Sequence, residues 1–154
     1  MIKLVGFNID EQHFGLPLDV VEKVVQLVWI QPLLKMPEYI CGIINLHGEI
    51  IPVVNVRYIF GLSKKEIALS DQLVIATASH KKFALIVDST REVIEICEND
   101  IVKSEHIIFG MKYVQGVVEL DDGMLLINDI DKFLSEDELK SLEDVLEYED
   151  LNKA

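Results

Sequence analysis

Features that would mark a secreted or a membrane protein are missing from this sequence. Only two cysteines occur among its 154 residues, and two cysteines do not make the disulfide framework of a small secreted domain. No apolar run approaches the ~20 residues that a membrane-spanning helix needs. The first residues enter a strand-like pattern at once and lack the apolar core and cleavage site of a signal peptide. We therefore expect a cytoplasmic protein without direct membrane insertion.

Motifs of catalysis and of metal binding are missing as well. None of the four histidines stands at zinc-ligand spacing to another histidine or to a cysteine. The chain has no P-loop, no G-x-G-x-x-G and no G-x-S-x-G. The sequence therefore predicts no catalytic residues, no metal site and no cofactor, and hence no enzyme.

Positive charge is scarce, with 14 basic against 27 acidic residues and a net charge of −13. Such a chain repels nucleic acids and anionic lipids, which argues against both as partners. Residues 135–154 alone hold eight acids against Lys140 and Lys153. A capping box at Ser135–Glu138 and the apolar spacing after it predict an acidic helix over 135–150. That helix either meets a partner or simply packs its apolar stripe on the body.

What the chain does contain is a repeat. Residues Tyr39–Phe60 align without a gap with Tyr113–Leu134, which we call the hairpin alignment. Residues 4–25 align in the same way with 73–94, which we call the N-terminal alignment. We interpret the chain as one unit of roughly sixty residues used twice. Chance similarity between two β-rich stretches is the alternative interpretation.

Each half consists of short apolar runs that are rich in β-branched residues and bounded by turn residues, a pattern typical of strands. In the first half the runs before the central hairpin are Ile2–Ile9, Phe14–Leu18 and Val24–Trp29, with a four-residue polar turn at 10–13. A helix over 19–25, capped by Asp19 and Glu22, is the alternative to the third strand.

The central hairpin has a polar tip around Gly48, and its second arm is predicted over Ile50–Val56. Gly48 supplies the positive φ that a tight turn needs. Pro52 cannot donate to a ladder, so this second arm should be an edge strand or carry a bulge there.

About ten strands in two similar sets of five predict an all-β fold of two small barrels packed side by side. We expect one barrel from about 1–62 and a second from about 72–134, joined by the polar segment Gly61–Gln72 and followed by the helix over 135–150.

The residues also resemble a known family. Phe14–Asp19, Met36–Asn55 and Val56–Gly61 are similar to the CheW signature, close to P-x-Y-(V/I)-x-G-(V/I)-(I/V)-N-L-R-G-x-(I/V)-(V/I)-P-(V/I)-(V/I)-D-L-R. Gly116–Val118 and Met124–Leu134 resemble the way in which CheW proteins end. The resemblance covers about residues 3–147.

This resemblance implies SH3-like five-stranded barrels with an apolar interface between them. It implies a non-catalytic adaptor that couples a CheA-type histidine kinase to chemoreceptors in bacterial chemotaxis. One barrel would dock on the regulatory domain of the kinase, and an apolar groove would take the cytoplasmic tip of the receptor. An adaptor of a chemosensory pathway other than chemotaxis and a small-ligand-binding β-barrel protein are the alternatives.

Three departures from the signature indicate a divergent member. The arginine of N-L-R-G is His47 here, the strand aspartate is Asn55, and the acidic residue of V-x-E-(I/V), which can pair with that arginine, is Lys23. Replacing arginine by histidine removes a fixed fork of donors and a permanent charge. The departures affect the contact with the receptor more than the fold.

The resemblance assigns partner binding to seven residues. They are Val21, Lys23, Gly42, Asn45, Leu46, His47 and Gly48. Gly42 and Leu46 could equally be packing residues, whereas Lys23 and His47 are polar and have no evident core role.

Overall fold

The structure is a computed structural model and describes residues 1–103, 113–133 and 138. Except for Glu138, the helix predicted over 135–150 lies outside the described residues. The strands are β1 Ile2–Ile9, β2 Gln12–Pro17, β3 Val21–Gln26, β4 Ile40–Leu46, β5 Glu49–Val54, β6 Gln72–Ala78, β7 Lys81–Val87, β8 Ser89–Ile96, β9 Val102–Lys103, β10 Val114–Leu120 and β11 Gly123–Asn128. Helix α1 spans Val56–Phe60, and 3₁₀ turns cover Leu18–Val20, Glu98–Asp100 and Ile130–Lys132.

The strands form two sheets. One has six strands in the order β8-β1-β2-β11-β10-β9, and the other has five in the order β3-β6-β7-β5-β4. Neighbouring strands are antiparallel except for the parallel pairs β2–β11 and β5–β7. Each sheet encloses an apolar cluster of its own. The predicted β fold of two small barrels is therefore confirmed, except that one sheet has six strands where five are predicted.

The repeat found in the sequence is visible in the strands. Under the hairpin alignment, β10 and β11 begin and end at the residues equivalent to the bounds of β4 and β5. A register shift between Ile40 and Gly42 recurs between Val114 and Gly116. Strands β6, β7 and β8 follow one another as β1, β2 and β3 do, with bounds close to those that the N-terminal alignment gives. One supersecondary unit is therefore used twice.

The halves of the sequence do not correspond to the barrels, however, and the expected division at 1–62 and 72–134 does not match the sheets. The six-stranded sheet combines β1 and β2 with β8 to β11, and the five-stranded sheet combines β3 to β5 with β6 and β7. The chain changes sheet at the 3₁₀ turn Leu18–Val20 and again at the bend of Asp88. The first hairpin of each half therefore lies in the barrel that contains the remaining strands of the other half.

Two turns differ from the prediction. The first hairpin turns over Asp10 and Glu11 alone, because Asp10 adopts a positive φ of 55° that allows a two-residue turn. The third strand is formed in preference to the alternative helix, but it begins at Val21 and ends at Gln26, three residues earlier than predicted at each end.

The second arm of the central hairpin also ends earlier than predicted. It stops at Val54, and Val56 begins α1, because the side chain of Asn55 caps the helix by accepting a hydrogen bond of 3.2 Å from the N–H of Tyr58.

The expectation for Pro52 was wrong. Its strand β5 lies between β4 and β7 and is not an edge strand, and the bulge of this hairpin lies at Ile40/Gly42 in the partner strand. The ladder between β5 and β7 covers only Val53 and Val54. Pro52 precedes that ladder, so its missing N–H costs the sheet no bond to β7.

The largest apolar cluster lies between the two sheets. It joins Phe7 and Phe14 of the six-stranded sheet to Val74 and Leu85 of the five-stranded sheet, all of them buried. The rings of Phe14 and Phe60 stack with centroids 4.7 Å apart. This cluster is the apolar interface that the family resemblance implies.

The described residues contain no helix that is long and apolar enough to cross a bilayer. Within the described ranges, no three histidine, cysteine or carboxylate side chains cluster as metal ligands would. Both cysteines are free thiols, and burial raises the pKa of Cys41 to about 11.

A group of charged side chains ties the barrels together at their edge. Arg57, which lies on α1, donates to Asp10 of the first hairpin and to Asp88 at the change of sheet, with nitrogen–oxygen distances of 2.9 Å to each. The Asp10 N–H donates to the Asp88 carboxylate at 2.7 Å, and Lys65 lies 3.5 Å from it. Burial alone would raise the pKa of Asp88, but the hydrogen bonds from Asp10 and Arg57 outweigh it and lower that pKa.

We expect Asp88→Asn to lower the free energy of unfolding at pH 7 by about 1–3 kcal/mol, because Arg57 loses a charged partner. The pKa of Asp88 lies below its unfolded value of ~3.9. The contribution of the carboxylate is thus fully present above that value and is lost as the pH falls through the folded pKa. Urea unfolding at pH 7, 4 and 3 should show the gap between wild type and variant narrowing in acid. A gap that is constant or widens there would contradict the assignment.

Candidate partner-binding surface

Four of the seven predicted residues lie together at the tip of the β4–β5 hairpin. His47 and Gly48 both have positive φ, 53° and 88°, which is the backbone of a tight two-residue turn. The side-chain oxygen of Asn45 accepts a hydrogen bond of 2.9 Å from the N–H of Gly48. Asn45, His47 and Gly48 are exposed, and Leu46 is half-buried. The tip is therefore a fixed projection with polar groups turned to solvent.

Gly42 and Leu46 have packing roles. Gly42 is buried, and a Cβ there would lie 2.4 Å from the carbonyl oxygen of Gln31, which pairs with Ile43 beside it. Its lack of a side chain lets the segment after β3 close the barrel against β4. Leu46 packs on the core of the same barrel. Of these two, only Leu46 offers a partner any side-chain surface.

Val21 and Lys23 lie on β3, at the opposite edge of the five-stranded sheet. Lys23 is exposed and Val21 half-buried. The contacts among the described residues include none between Lys23 and His47, so these replacements of the family ion pair do not meet.

A different ion cluster connects β3 with the hairpin tip. The Nζ atom of Lys82, on β7, lies 3.0 Å from a carboxylate oxygen of Glu22 and 3.0 Å from one of Glu49. The hydrogen bond with Glu49, followed by that with Glu22, raises the pKa of Lys82. This cluster brings the start of β3 and the hairpin tip to the same end of the barrel. We call the exposed region formed by Val21, Lys23, Asn45, Leu46, His47 and Gly48 the tip surface.

The hairpin tip of the other half is held by a cluster with the charges reversed. Arg91 on β8 lies 3.1 Å from the Asp122 carboxylate at the β10–β11 turn, and the Nε2 atom of His13 lies 3.7 Å from it. The N-terminal alignment makes Arg91 the equivalent of Glu22, and His13 the equivalent of Lys82. One tip therefore has a cation between two acids, and the other has an acid between arginine and histidine.

Sequence reasoning missed Glu22, Glu49 and Lys82. The only signal that could have found Lys82 is its equivalence to His13 in the repeat, because the three residues come from different strands. Their proximity depends on the exchange of hairpins between the halves, which no local pattern reveals.

A cleft of about 820 Å³ opens beside the change of sheet and runs along the six-stranded barrel. Ile2, Leu18 and Ile127 contribute apolar surface to it, and Asp19 and Lys103 contribute charge. Leu18 and Asp19 lie two to three residues before Val21, where the 3₁₀ turn meets β3, so the cleft and the tip surface are close in sequence.

Comparison with known proteins gives one consistent family. Residues 3–138 match the family model described as a CheW-like domain. The chain is 30% identical over 146 residues to the chemotaxis protein CheW of Treponema pallidum, covering 91% of this chain and 86% of that protein. It is 33% identical over 135 residues to the chemotaxis protein CheW of Thermotoga maritima, covering 87% and 88%.

The fold has a similar solved structure as well. The crystal structure of the scaffolding protein TtCheW from Thermoanaerobacter tengcongensis matches 83% of this chain and 88% of its own, with a TM-score of 0.76 and 36% sequence identity. This similarity confirms that the two barrels are SH3-like.

We expect Lys82→Glu to loosen the hairpin tip, because it would place three carboxylates where one cation now holds two. Amide hydrogen exchange at residues 47–49 should become at least about threefold faster, with little change at buried strands. Lys64→Glu makes the same change in charge at an exposed site between α1 and β6 and is the control. Equal exchange rates in the two variants would show that Lys82 does not hold the tip.

Proposed function

The chain belongs to the CheW-like family, and on that basis we propose that it is a non-catalytic adaptor of bacterial chemotaxis. It would work in the cytoplasm, where it couples a CheA-type histidine kinase to chemoreceptors. The observation that carries the proposal is the extent of the similarity, since the curated CheW relatives align over 87–91% of this chain and 86–88% of their own length. The similar solved structure is described as that of a scaffolding protein.

The tip surface is our proposal for a partner contact. Its support is geometric: a rigid turn presents His47 to solvent, and Lys23 stands exposed at the same end of the barrel. The Glu22–Lys82–Glu49 cluster holds the two elements together. A surface that is ordered before binding loses little conformational entropy in the complex. Gly42 belongs to this site through the packing that shapes it.

For the receptor we propose the cleft beside Leu18. The cytoplasmic tip of a chemoreceptor is expected to present a helical hairpin, and an amphipathic helix docks by laying its apolar face in such a groove. Leu18 is 37% exposed and could contact that face, while Lys103 and Asp19 lie at the cleft for the polar flank. Leu18 and Asp19 of the cleft lie only two to three residues before Val21 of the tip surface, and we propose that one receptor tip touches both.

Of the three residues that depart from the family signature, His47 and Lys23 lie in the tip surface, whereas Asn55 caps α1. Neither is held in an ion pair among the described contacts, unlike Glu22 and Glu49. We infer that the partner of this surface differs in charge from the usual one.

Calorimetric titration with the regulatory domain of the CheA kinase from the same organism tests the proposal. We expect binding with a micromolar or tighter Kd and a negative heat-capacity change, because barrel-to-barrel docking buries apolar surface. A folded protein that binds neither this domain nor the receptor tip would overturn the adaptor function.

Two variants then test whether the tip surface contacts the kinase or the receptor. If it faces the kinase, His47→Glu should weaken this binding about tenfold or more. If the tip surface faces the receptor, the His47→Glu variant should bind the kinase domain as the wild type does. It should then bind a receptor-tip fragment more weakly than the wild type. Lys64→Gln, which changes the charge by the same amount at another exposed position, should affect neither. A His47→Glu variant that binds both partners normally would remove His47 from the site.

A further inference from the structure

The cleft beside Leu18 has a counterpart in the other half of the chain. Residues at equivalent positions of the two alignments line both clefts, in the pairs Pro17 and Ile86, Asp19 and Asp88, and Gln115 and Cys41. The cleft beside Leu18, at the six-stranded barrel, has a volume of about 820 Å³. Its counterpart at the five-stranded barrel has only about 320 Å³. We call the first the open cleft and the second the covered cleft.

A segment of the chain itself borders the covered cleft. Residues 63–68 lie between α1 and β6 without helix or strand, and Lys65 and Ile67 of this segment line the cleft. The Nζ atom of Lys65 lies 3.5 Å from the Asp88 carboxylate and 3.4 Å from that of Asp71. The covered cleft thus shows which side chains such a site accepts, namely a cation beside its aspartate and an aliphatic residue close to that cation in sequence.

No described segment lines the open cleft in this way. Its described lining residues belong to the strands, to the turn Leu18–Val20 and to residues 101–103. The side chains of Ile2, Leu18 and Ile101 are at least partly exposed, so they leave apolar surface in contact with solvent. Because burial of such surface is favourable, the open cleft suits an occupant with an aliphatic side chain.

The aspartate of the open cleft differs from its counterpart in having no partner. Asp88 accepts hydrogen bonds from Arg57 and from the N–H of Asp10. Asp19 is exposed and takes part in no ion pair or hydrogen bond among the described residues. The hairpin alignment places Asp131 where the first half has Arg57, so the second half lacks that cation. Asp19 therefore presents an unpaired negative charge beside exposed apolar surface, where a cation of a partner can pair with it.

We propose that the open cleft binds a partner segment in which a lysine or arginine pairs with Asp19 and a neighbouring aliphatic residue packs against Leu18 and Ile101. The identity of this partner as the receptor tip rests on the proposed function, whereas its chemistry follows from the comparison of the two clefts. A partner with an acidic residue opposite Asp19 is rejected, because like charges face each other there.

Two lysines also border the open cleft and define the rest of its polarity. The Nζ atom of Lys3 lies 3.8 Å from the Glu95 carboxylate. Lys103 is exposed and forms no ion pair within the part of the chain that the structure describes. An acidic residue of the partner segment can therefore pair with Lys103. The segment at the covered cleft has such a residue in Glu66, directly after its lysine.

The chain itself supplies the probe, a synthetic peptide with the sequence of Ser63–Leu69. We expect this peptide to shift the backbone amide resonances of Leu18, Asp19 and residues 101–103 in the isotope-labelled full chain. The shifts should saturate at about millimolar peptide, which is the effective concentration that a short flexible connection provides within one chain.

Two altered peptides then test the role of the cation. Lys65 pairs with Asp88 at the covered cleft, whereas Lys64 forms no ion pair among the described residues. The Lys65→Glu peptide should therefore bind the full chain at least about threefold more weakly than the Lys64→Glu peptide at low ionic strength. These two peptides have the same composition and net charge, so the difference reports the position of the cation alone.

The variant Asp19→Lys of the full chain should reverse this preference, because the new lysine repels Lys65 of the peptide and attracts a glutamate in its place. Since Asp19 is exposed, the variant should melt as the wild type does. Glu11→Lys makes the same change in charge at the exposed turn of the first hairpin and should keep the wild-type preference.

Equal affinity of the two altered peptides for the wild-type chain would overturn the proposal. An unchanged preference in Asp19→Lys, or shifts at the open cleft that do not saturate, would overturn it as well. A receptor-tip fragment that fails to bind while the peptides behave as expected would contradict the proposed receptor contact and would support the chemistry assigned to the cleft.

Discussion

The exchange of hairpins between the two halves is the constraint on which the rest of the structure depends. Strand β2 pairs in parallel with β11, and β5 pairs in parallel with β7, so neither barrel contains strands from one half alone. The aromatic cluster between the sheets follows from this exchange, because Phe14 lies in the six-stranded sheet and stacks across the junction on Phe60 of α1, although both residues belong to the first half of the sequence. The ion pair between Arg57 and Asp88 stabilises the bend at which the chain changes from one sheet to the other.

The two copies of the repeated unit differ most at their hairpin tips and in the space between the barrels. The two hairpin tips keep the same backbone plan, but one is held around Lys82 and the other around Asp122. Each half also has a cavity between the barrels, bordered by Phe14 in one and by Phe83 in the other, but their volumes are about 260 Å³ and about 10 Å³. Two halves of the same architecture thus present two chemically different hairpin tips. An adaptor that joins two unlike proteins needs such a difference.

Much of the fold could be predicted from the sequence. The strands follow from β-branched runs between turn residues, the tight tip from Gly48, and the repeat from two aligned blocks. The exchange could not be predicted, because a parallel pair such as Phe14 with Leu126 joins residues that lie far apart in sequence and leaves no local pattern. For the same reason the sequence predicts an edge strand or a bulge at Pro52, and it does not connect Glu22 with Lys82. The tip-surface residues are exposed or half-buried, as their polarity and turn position suggest, but the cluster that positions them needed the fold.

The measurement that tests this account most directly is fragment complementation with the chain divided in the polar segment, into residues 1–66 and 67–154. Because each barrel needs strands from both fragments, neither fragment alone should show a cooperative thermal transition by circular dichroism. An equimolar mixture should recover the transition of the intact chain and elute as a one-to-one complex. Cooperative unfolding of either fragment on its own, with no change on mixing, would contradict the exchange and require each half to close its own barrel.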